Sequence, residues 1–350
     1  MRLDDQRGVT RPLLAAALIV RDEAQVLAAC LVSLAGVVDE IHVHDTGSVD
    51  GTAELAARFG AVVSRGGWSD DFSAARNAAL AGWSATWVLA VDADHRVSAD
   101  PVALRRLLSG ATENVLLVEV EDEHHAGPYR QLETRLYRPG AASWTGRVHE
   151  RLVCPDGSAP ARAAVPAATL RLTHLGHATH ANLVRRSERN LDLSGRMLAE
   201  LSAAPNLDRE RVARTLLDLG RDCVAAGRWQ QATDTFELLR ELFPGTPEWL
   251  QATDCLARLV LAAGYDKLCL VLVDQLRDGG AGPAYCDWLA AQALAQLGDP
   301  HEAAVLLAGV TEVVDTAGRR RDPTALWELA ALVDRLGSLA PAGPPDETWA

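Results

Sequence analysis

The sequence predicts an α/β domain followed by an all-α repeat domain. Its 350 residues exceed what one small core needs, so two domains are expected. Short β-rich runs alternate with helical patterns up to about residue 110, whereas almost every segment beyond Ala181 has a helical pattern. The predicted domains are residues 1–180 and residues 181–340, and the proline-rich residues 341–350 are expected to form a flexible tail.

The first domain is predicted from short apolar runs that alternate with apolar residues at helical spacing. The predicted strands in its first half are Leu13–Val20, Glu40–His44, Ala61–Ser64 and Thr86–Val91. The helices between them are Glu23–Ala35, Thr52–Phe59 and Phe72–Trp83. This alternation is typical of a parallel sheet covered on both faces. From about 113 to 172 the pattern changes to strands and loops, with predicted strands at Val115–Val120, Thr134–Tyr137, Val148–Val153 and Thr169–Leu172.

The second domain is predicted from small turns that recur at nearly constant spacing. Glycines at such turns are Gly227, Gly264, Gly298 and Gly337, separated by 37, 34 and 39 residues. This is the tetratricopeptide spacing in degenerate form, and such repeats bury their faces by stacking on their neighbours. The sequence leaves two roles open for this helical domain, docking a partner on its concave face or supporting the first domain. It is also a candidate surface for self-association into a homo-oligomer.

Composition and charge restrict the partners of the chain. Its 34 basic and 47 acidic residues give a net charge of −13, which excludes a general affinity for nucleic acid or for an anionic membrane. The first apolar run, Leu13–Val20, is too short to span a bilayer and lacks a cleavage pattern, so neither an integral membrane segment nor a leader is expected. Six scattered cysteines without a CxxC pair indicate free thiols and a cytoplasmic location.

Acidic side chains follow two of the predicted parallel strands. Asp45 ends the second strand, and Asp92 and Asp94 follow the fourth. The carboxyl ends of parallel strands form the crevice where open α/β sheets bind ligands. In an extended segment Asp92 and Asp94 would point the same way and could converge on one divalent cation. Asp45 is the better ligand candidate in its loop, whereas Asp50 is expected to cap the next helix.

Glycine-rich phosphate loops are absent from the predicted first turn. After the first strand the chain reads Val20-Arg21-Asp22-Glu23, which matches neither the dinucleotide fingerprint nor the P-loop. Phosphate, if bound, must therefore be neutralised by arginine or by a metal ion.

Four ordered motifs together resemble a known family. They are Leu18-Ile19-Val20-Arg21-Asp22-Glu23, Asp45-Thr46-Gly47-Ser48-Val49-Asp50-Gly51-Thr52, Trp68-Ser69-Asp70-Asp71-Phe72-Ser73-Ala74-Ala75-Arg76-Asn77 and Asp92-Ala93-Asp94. The sequence is similar here to family-2 glycosyltransferases with the GT-A fold. Later motifs resemble members that carry tetratricopeptide repeats, namely Arg135-Leu136-Tyr137-Arg138, Gly146-Arg147-Val148-His149-Glu150, His174-Leu175-Gly176-His177 and Arg189-Asn190.

The resemblance implies roles for particular residues. The residues implied in binding a nucleotide-sugar donor are Asp22, Glu23, Asp45, Arg76 and Asp92. Asp92 and Asp94 would hold Mn²⁺ or Mg²⁺ against the diphosphate, and either His149 or His177 could complete the metal shell. Glu150 would be the general base that deprotonates the acceptor. For both histidines a hydrogen-bonded structural role remains an open alternative.

Some positions depart from the family pattern, and they keep a second interpretation open. Asp22, His95 and His177 stand where the family usually has asparagine, glutamate and an aromatic residue. A transferase domain that has lost activity and serves as a protein-binding scaffold through its repeats is therefore the alternative. The spacing of His174, His177 and His180 also permits a zinc site, although Gly176 disfavours the helix such a site would need.

The predicted function is that of a metal-dependent, inverting glycosyltransferase. It would move a sugar, expected to be linked to uridine diphosphate, from a nucleoside diphosphate to a peptide, protein or small-molecule acceptor. The acceptor class rests on the resemblance to repeat-bearing members and on the lack of a membrane segment.

Overall fold

The computed structural model describes residues 11–122, 129–175 and 180–339. Their contacts divide them into two compact units, and the second includes all residues from the helix that begins at His180. The predicted tail at residues 341–350 lies outside the described residues.

The first unit alternates strands and helices in its first half and consists mainly of strands in its second half. Its first nine elements are β1 Leu14–Val20, α1 Ala24–Leu34, β2 Glu40–Asp45, α2 Thr52–Arg58, β3 Val62–Arg65, α3 Phe72–Ala78, β4 Trp87–Ala90, β5 His95–Ala99 and α4 Pro101–Gly110. Its remaining strands are β6 Val115–Asp122, β7 Tyr129–Tyr137, β8 Ser143–Thr145, β9 Arg151–Val153, β10 Arg162–Ala164 and β11 Leu170–His174.

One mixed sheet organises this unit, with the strand order β3-β2-β1-β4-β7-β6-β11-β5. The strands β3, β2, β1 and β4 run parallel, so their carboxyl ends lie along one edge. β7 pairs antiparallel with β4, and β11 pairs parallel with β6 and antiparallel with β5. The sheet is parallel in its first half because helices connect those strands, and it becomes mixed where the connections shorten.

The apolar character of the strands explains how the sheet is covered. β1 is almost wholly buried, and Leu14 and Leu18 on one of its faces join Leu27 and Leu31 of α1 in the main core. A strand buried on both faces has a continuous apolar sequence, as β1 has. A smaller cluster on the other face includes Ala17 and Trp144.

Some predicted elements differ from the structure. The helix predicted to reach Trp83 ends at Ala78, because turns lead to Gly82, which has a φ of 85°. The strand predicted over Val148–Val153 begins only at Arg151, because His149 adopts a left-handed φ of 50° that a strand cannot contain. The elements β5 and α4 were not predicted individually, since residues 95–110 lack a distinctive alternation.

The second unit consists of helical hairpins. Its elements are α5 His180–Ala203, α6 Arg209–Ala225, α7 Trp229–Leu242, α8 Pro247–Ala262, α9 Asp266–Asp278, α10 Pro283–Leu297, α11 Pro300–Leu307, the short strand β12 Arg320–Arg321 and α12 Pro323–Leu339. From α5 to α11 each helix packs against the next, and α6, α8, α10 and α12 also pack against one another in order. This is the arrangement expected of stacked two-helix repeats.

The repeat prediction is correct for three of its four glycine turns. Gly227, Gly264 and Gly298 adopt positive φ values of 70°, 76° and 84° between paired helices. Gly337 is different because it lies inside α12, which continues to Leu339. The prediction of a fourth turn there is wrong, since a glycine on an exposed helix surface costs only about 1 kcal/mol and does not end the helix by itself.

Two further features concern the cysteines and the helices. All six cysteines are free thiols, and five of them are buried. Among the residues that the structure describes, none of the helices combines the length and apolar character needed to cross a bilayer.

Candidate functional site

The loops that follow β1 and β2 are tied together by short polar side chains. Asp22 has a φ of 56°, and its Oδ1 accepts a hydrogen bond from the Val49 amide at 2.8 Å. The Asp22 amide donates in return to Ser48 Oγ at 2.9 Å, and the Glu23 amide donates to Thr52 Oγ1 at 2.9 Å. These bonds fix the positions of Asp22 and Glu23 at the carboxyl edge of the parallel strands.

The two aspartates of the β2 loop have different surroundings. Asp45 is 3% exposed, and its Oδ1 accepts from the amides of Gly47 and Ser48 at 2.8 and 2.7 Å. Asp50 accepts from the amide of Thr52 at 2.9 Å and from the amide of Ala24 at 3.0 Å. Asp50 therefore satisfies amides at the starts of both α1 and α2, as an acceptor at a helix N-terminus does.

Asp92, just beyond β4, is held between two arginines. Its Oδ1 accepts from Arg76 Nη2 at 3.0 Å and its Oδ2 accepts from Arg135 Nη1 at 2.9 Å. Burial by itself raises the pKa of Asp92, but the attraction of Arg135 and Arg76 outweighs it and holds this pKa well below its ordinary value. The carboxylate is therefore ionised, and its side chain remains 34% exposed.

Arg76 joins two residues that are far apart in the sequence. Its Nε donates to Glu150 Oε1 at 2.5 Å while its Nη2 donates to Asp92. The guanidinium also lies 5.2 Å from the centre of the Trp144 ring. The side chains of Arg76 and Glu150 are only 11% and 13% exposed, so burial strengthens this charged contact.

Hydrogen bonds from α3 to the segment after β7 hold Arg76 and Glu150 in register. Asn77 Nδ2 donates to the Trp144 carbonyl at 3.0 Å, and the Trp144 amide donates to Asn77 Oδ1 at 3.1 Å. The Phe72 amide donates to the Arg147 carbonyl at 2.8 Å. Asp71 caps the start of α3 by accepting from the Ala74 amide. The third of the four motifs, residues 68–77, thus holds Arg76 in position.

Arg135 on β7 is anchored in the same way as Arg76. Its Nε and Nη2 contact Glu133 Oε2 at 2.9 and 2.7 Å, which leaves Nη1 for Asp92. The Arg135 side chain is 13% exposed. Each arginine therefore uses one part of its guanidinium for a glutamate and another part for Asp92.

Asp94 belongs to a second chain of hydrogen bonds. Its Oδ2 lies 2.9 Å from His174 Nε2, and His174 Nδ1 lies 3.1 Å from Asp122 Oδ2. The hydrogen bonds to Asp122 and Asp94 raise the pKa of His174 to about 10, so this ring is an imidazolium at neutral pH. Burial lowers the pKa of the neighbouring His95 to about 4, which leaves His95 neutral.

The relation between Asp92 and Asp94 differs from the prediction. The segment is a turn in which the His95 amide donates to the Asp92 carbonyl at 3.0 Å, and β5 begins at His95. The expectation that the two carboxylates point the same way in an extended strand is therefore wrong. Asp92 faces the arginines and Asp94 faces His174, although the charge of Asp92 still acts on Asp94.

These contacts join the charged residues of this region into two chains. Arg76 and Arg135 connect Asp92 to Glu150 and Glu133, and His174 connects Asp94 to Asp122.

The structure brings some of the predicted site residues together. Arg76 contacts both Asp92 and Glu150, and Asp94 lies in the same turn as Asp92. Asp45 and Asp92 follow β2 and β4, which flank β1, so their strands lie roughly 10 Å apart. His149 is exposed beside Glu150, and His177 lies outside the described residues.

The residues predicted to hold a metal ion are not part of a larger group of possible ligands in the described parts of the chain. No group of three or more His, Cys, Asp or Glu side chains in those parts of the chain is arranged to hold an ion. A magnesium-type ion, however, is commonly held by one or two carboxylates together with substrate phosphates and water. Asp92 and Asp94, 34% and 27% exposed, fit that limited role.

Several residues of this network were not predicted as site residues. Arg135 and His174 lie inside motifs that carry the resemblance, but neither is predicted to bind the donor or the metal, and His174 is otherwise named only as one of three zinc ligands. Asp122 and Glu133 carry no signal in the sequence, because acidic residues are common in strands with one exposed face. Pairing of β6 with β11 brings Asp122 beside His174.

The fold and the site together define a class of protein. The first unit is a mixed α/β domain of the GT-A type with acidic and arginine side chains at its strand ends, and the second is a tetratricopeptide-like helical domain. The predicted fold class is confirmed. Residues 16–132 match the model of the family Glycosyl transferase family 2, which confirms the resemblance that the motifs indicated.

Individual proteins are similar to parts of the chain. A TPR repeat-containing protein from Synechococcus elongatus is 41% identical over 123 residues, which cover 35% of this chain and 30% of that protein. The crystal structure of S. aureus TarS 1-349 is 13% identical, with coverage of 88% of this chain and 96% of that chain and a TM-score of 0.37.

A second solved structure is similar to a shorter segment. Glucosyl-3-phosphoglycerate synthase from Mycobacterium tuberculosis, in complex with Mn²⁺ and uridine-diphosphate-glucose, is 22% identical over 33% of this chain and 45% of that chain, with a TM-score of 0.27. The chain therefore spans less than half the length of this synthase and of the Synechococcus relative.

Proposed function

We propose that this chain is a metal-dependent, inverting glycosyltransferase that uses a nucleoside-diphosphate sugar as its donor. The observation that carries this proposal is the junction at Arg76, which contacts both Asp92 at the end of a parallel strand and Glu150 from a distant segment. The match of residues 16–132 to Glycosyl transferase family 2 supports the reaction class.

Glu150 is the proposed general base. In the proposed reaction the acceptor hydroxyl oxygen forms a bond to the anomeric carbon of the donor sugar, while its proton passes to the Glu150 carboxylate. The bond between that carbon and the diphosphate oxygen breaks on the opposite side, so the configuration inverts. Arg76, which holds Glu150 Oε1 at 2.5 Å, orients the base.

Arg76 and Arg135 are the proposed cationic groups for the diphosphate. A guanidinium can present two N–H groups to phosphate oxygens, and it stays charged at any physiological pH. The two side chains are largely buried, so their attraction for the developing negative charge is weakly screened. Asp92 and Asp94 are the residues that would hold Mn²⁺ or Mg²⁺, which when bound would further stabilise the charge of the departing diphosphate.

Asp22, Glu23 and Asp45 are the proposed contacts for the nucleoside. Their loops lie at the carboxyl edge of the parallel strands, where ligands of open α/β sheets bind. Three described residues other than glycine have left-handed backbones, namely Asp22, Asp70 and His149. All three adjoin motifs assigned to the site, and such strained residues cluster at functional positions. Uridine diphosphate is the proposed carrier.

The proposed acceptor is a peptide, a protein or a small molecule, and the proposed location of the reaction is the cytoplasm. The helical second unit supports a macromolecular acceptor because stacked repeats commonly present a docking surface. The free, buried cysteines support a reducing compartment.

The test is nucleotide binding and donor hydrolysis by the parent and by the double variant Asp92→Ala with Asp94→Ala. Calorimetry with uridine diphosphate in the presence and absence of Mn²⁺ should show metal-dependent binding to the parent, weakened at least tenfold in the variant. Asp156→Ala, in an exposed loop, is the control and should bind as the parent does. Equal binding by the double variant and the parent would show that the site assignment is wrong.

A further inference from the structure

Both oxygens of Asp92 are already occupied by cationic groups of the chain itself. Oδ1 is bonded to Arg76 Nη2 at 3.0 Å and Oδ2 to Arg135 Nη1 at 2.9 Å. A divalent cation at Asp92 would have to share these oxygens with two guanidinium groups, which repel it. In this arrangement the two arginines therefore compete with a cation for Asp92.

Each arginine has a second anchor that is independent of Asp92. Arg76 Nε holds Glu150, and the Nε and Nη2 of Arg135 hold Glu133. The contact with Asp92 uses a different nitrogen in both cases, Nη2 of Arg76 and Nη1 of Arg135. Release of Asp92 would therefore leave each guanidinium bonded to its glutamate.

We propose that Arg135, assisted by Arg76, is an exchangeable counter-ion of Asp92 that makes binding of the divalent cation depend on the nucleoside diphosphate. The inference rests on the proposed function, because it assumes that the diphosphate and the cation bind at this site. When the diphosphate enters, its oxygens offer a charged partner to the Nη groups that contact Asp92, so these groups exchange Asp92 for phosphate while the contacts with the glutamates remain. Asp92 is then free to bind the cation.

The energetic reason for this exchange is the cost of an unpaired buried charge. Loss of both arginines from Asp92 without a replacement would leave a partly buried carboxylate without these counter-ions. The cation compensates Asp92, and the diphosphate compensates the arginines, so each ligand removes the cost that the other would meet alone. The two ligands should therefore bind with positive coupling.

This coupling is measurable on binding alone. Mn²⁺ binding can be followed by electron paramagnetic resonance of the free ion, with and without uridine diphosphate. In the parent, the nucleotide should tighten Mn²⁺ binding on the order of tenfold or more, which is within the usual range of coupling between two ligands. By reciprocity Mn²⁺ should tighten binding of uridine diphosphate by the same factor, and calorimetry checks this value independently.

The decisive variant is Arg135→Gln. It frees Asp92 Oδ2, so Mn²⁺ alone should bind on the order of severalfold more tightly than to the parent, and the coupling factor should fall by about the same factor. The matched control is Arg130→Gln, which removes a positive charge from the same strand β7 but from a pair with Glu121 at 2.8 Å. The control should keep the coupling factor of the parent.

The outcomes separate this inference from the proposed function. If Mn²⁺ and uridine diphosphate do not bind to the parent when they are added together, the assignment of the donor site is wrong. If the parent binds both but Arg135→Gln keeps the parent coupling factor, the exchange of Arg135 is wrong while the donor site stands. An equal change of the coupling factor in Arg130→Gln would also overturn the proposed exchange, because the loss of any positive charge from β7 would then explain the change.

A second variant guards against misfolding of the first. Arg135→Lys keeps the charge but cannot contact Glu133 and Asp92 with a single planar group. It should give a coupling factor between those of the parent and of Arg135→Gln. Circular dichroism and Tm verify folding of each variant, and a parent-like coupling factor in a folded Arg135→Lys would count against the proposal.

Discussion

At the scale of single residues, His174 is a side chain whose charge depends on its neighbours. It lies between Asp94 and Asp122, and its side chain is 14% exposed. The two carboxylates stabilise the imidazolium, which raises the pKa of His174 to about 10. His174 therefore holds Asp94 in place as a charged group rather than as a neutral ring.

This arrangement predicts how stability depends on pH. The pKa of His174 in the folded protein, about 10, lies above the value of about 6.5 that is usual for the unfolded chain. The stabilisation is therefore fully present below about pH 6.5 and is lost as the pH rises through about 10. In metal-free protein, the decrease in Tm caused by His174→Gln should be largest near neutral pH and should shrink as the pH approaches 10.

The control for this prediction is His301→Gln, at an exposed position on α11. Its effect on Tm should be small at every pH. Thermal unfolding of the three proteins in a chelating buffer from about pH 7 to about pH 10.5 provides the comparison. A decrease in Tm for His174→Gln that stays constant over this range would show that the imidazolium contributes nothing.

Single residues also show the limits of prediction from sequence. The motifs predict Asp92, Arg76 and Glu150 as site residues, and Arg76 contacts the other two. Their pairing was not predicted, because the sequence does not state which residues of α3 face the segment after β7. The assigned roles in binding and catalysis stay predictions until they are tested.

At the scale of helices, the packing of α6 against α7 depends on one glycine. A Cβ built on Gly220 would lie 2.3 Å from the Phe236 ring, which is fully buried. Such a contact is too short, and Phe236 has little room to move within the core of the second unit. Close approach of the two helices therefore requires glycine at this position.

The prediction at this scale compares two helical glycines. Gly220→Ala should lower the free energy of unfolding of the helical unit by about 1–3 kcal/mol because of overpacking. Gly195→Ala, on the exposed surface of α5 with open space around its Cβ, should raise it by up to about 1 kcal/mol. Urea unfolding followed by circular dichroism measures both, and a stabilising Gly220→Ala would mean that the helices do not pack so closely.

At the scale of the whole molecule, the second unit contains its own buried polar network. Asp254 is 2% exposed and accepts hydrogen bonds from the Tyr285 hydroxyl at 2.6 Å, the Thr316 hydroxyl at 2.6 Å and Arg258 Nε at 3.1 Å. These partners connect α8, α10 and the loop after α11. Loss of the carboxylate would leave several polar groups without an acceptor.

The prediction at this scale tests whether the two units are stable independently. Asp254→Ala should destabilise the helical unit by about 3 kcal/mol, because it leaves a buried charge and two hydroxyls unpaired. Hydrogen exchange measured by mass spectrometry should become faster in peptides of α8 to α11 and stay unchanged in peptides of β1 to β4. Asp274→Ala, at a side chain 72% exposed, is the control and should change neither set.

Faster exchange in both sets of peptides would mean that the two units unfold together. The sequence predicted a domain change near residue 180 from a change of pattern, and the contacts divide the described residues at His180. The hydrogen-exchange experiment measures whether the two units also unfold separately.

The sequence by itself determined the class of fold and most of its elements. Apolar strands, helical spacing and glycine turns are local features, so they are visible along the chain at β1, α1 and the turns at Gly227, Gly264 and Gly298. Prediction from local sequence features was wrong where a single residue was the only signal, as at Gly337 inside α12. A single glycine permits a turn but does not require one.

Only the tertiary structure decided how the charged residues pair. The pairing of β4 with β7 brings Arg135 to Asp92, and the pairing of β6 with β11 brings Asp122 to His174. Arg76 lies on α3 and contacts Asp92 and Glu150, and a hydrogen bond from Asn77 to Trp144 holds this helix in place. Sequence distance carries no information about such contacts, because the electrostatic energy depends on separation in space and on burial.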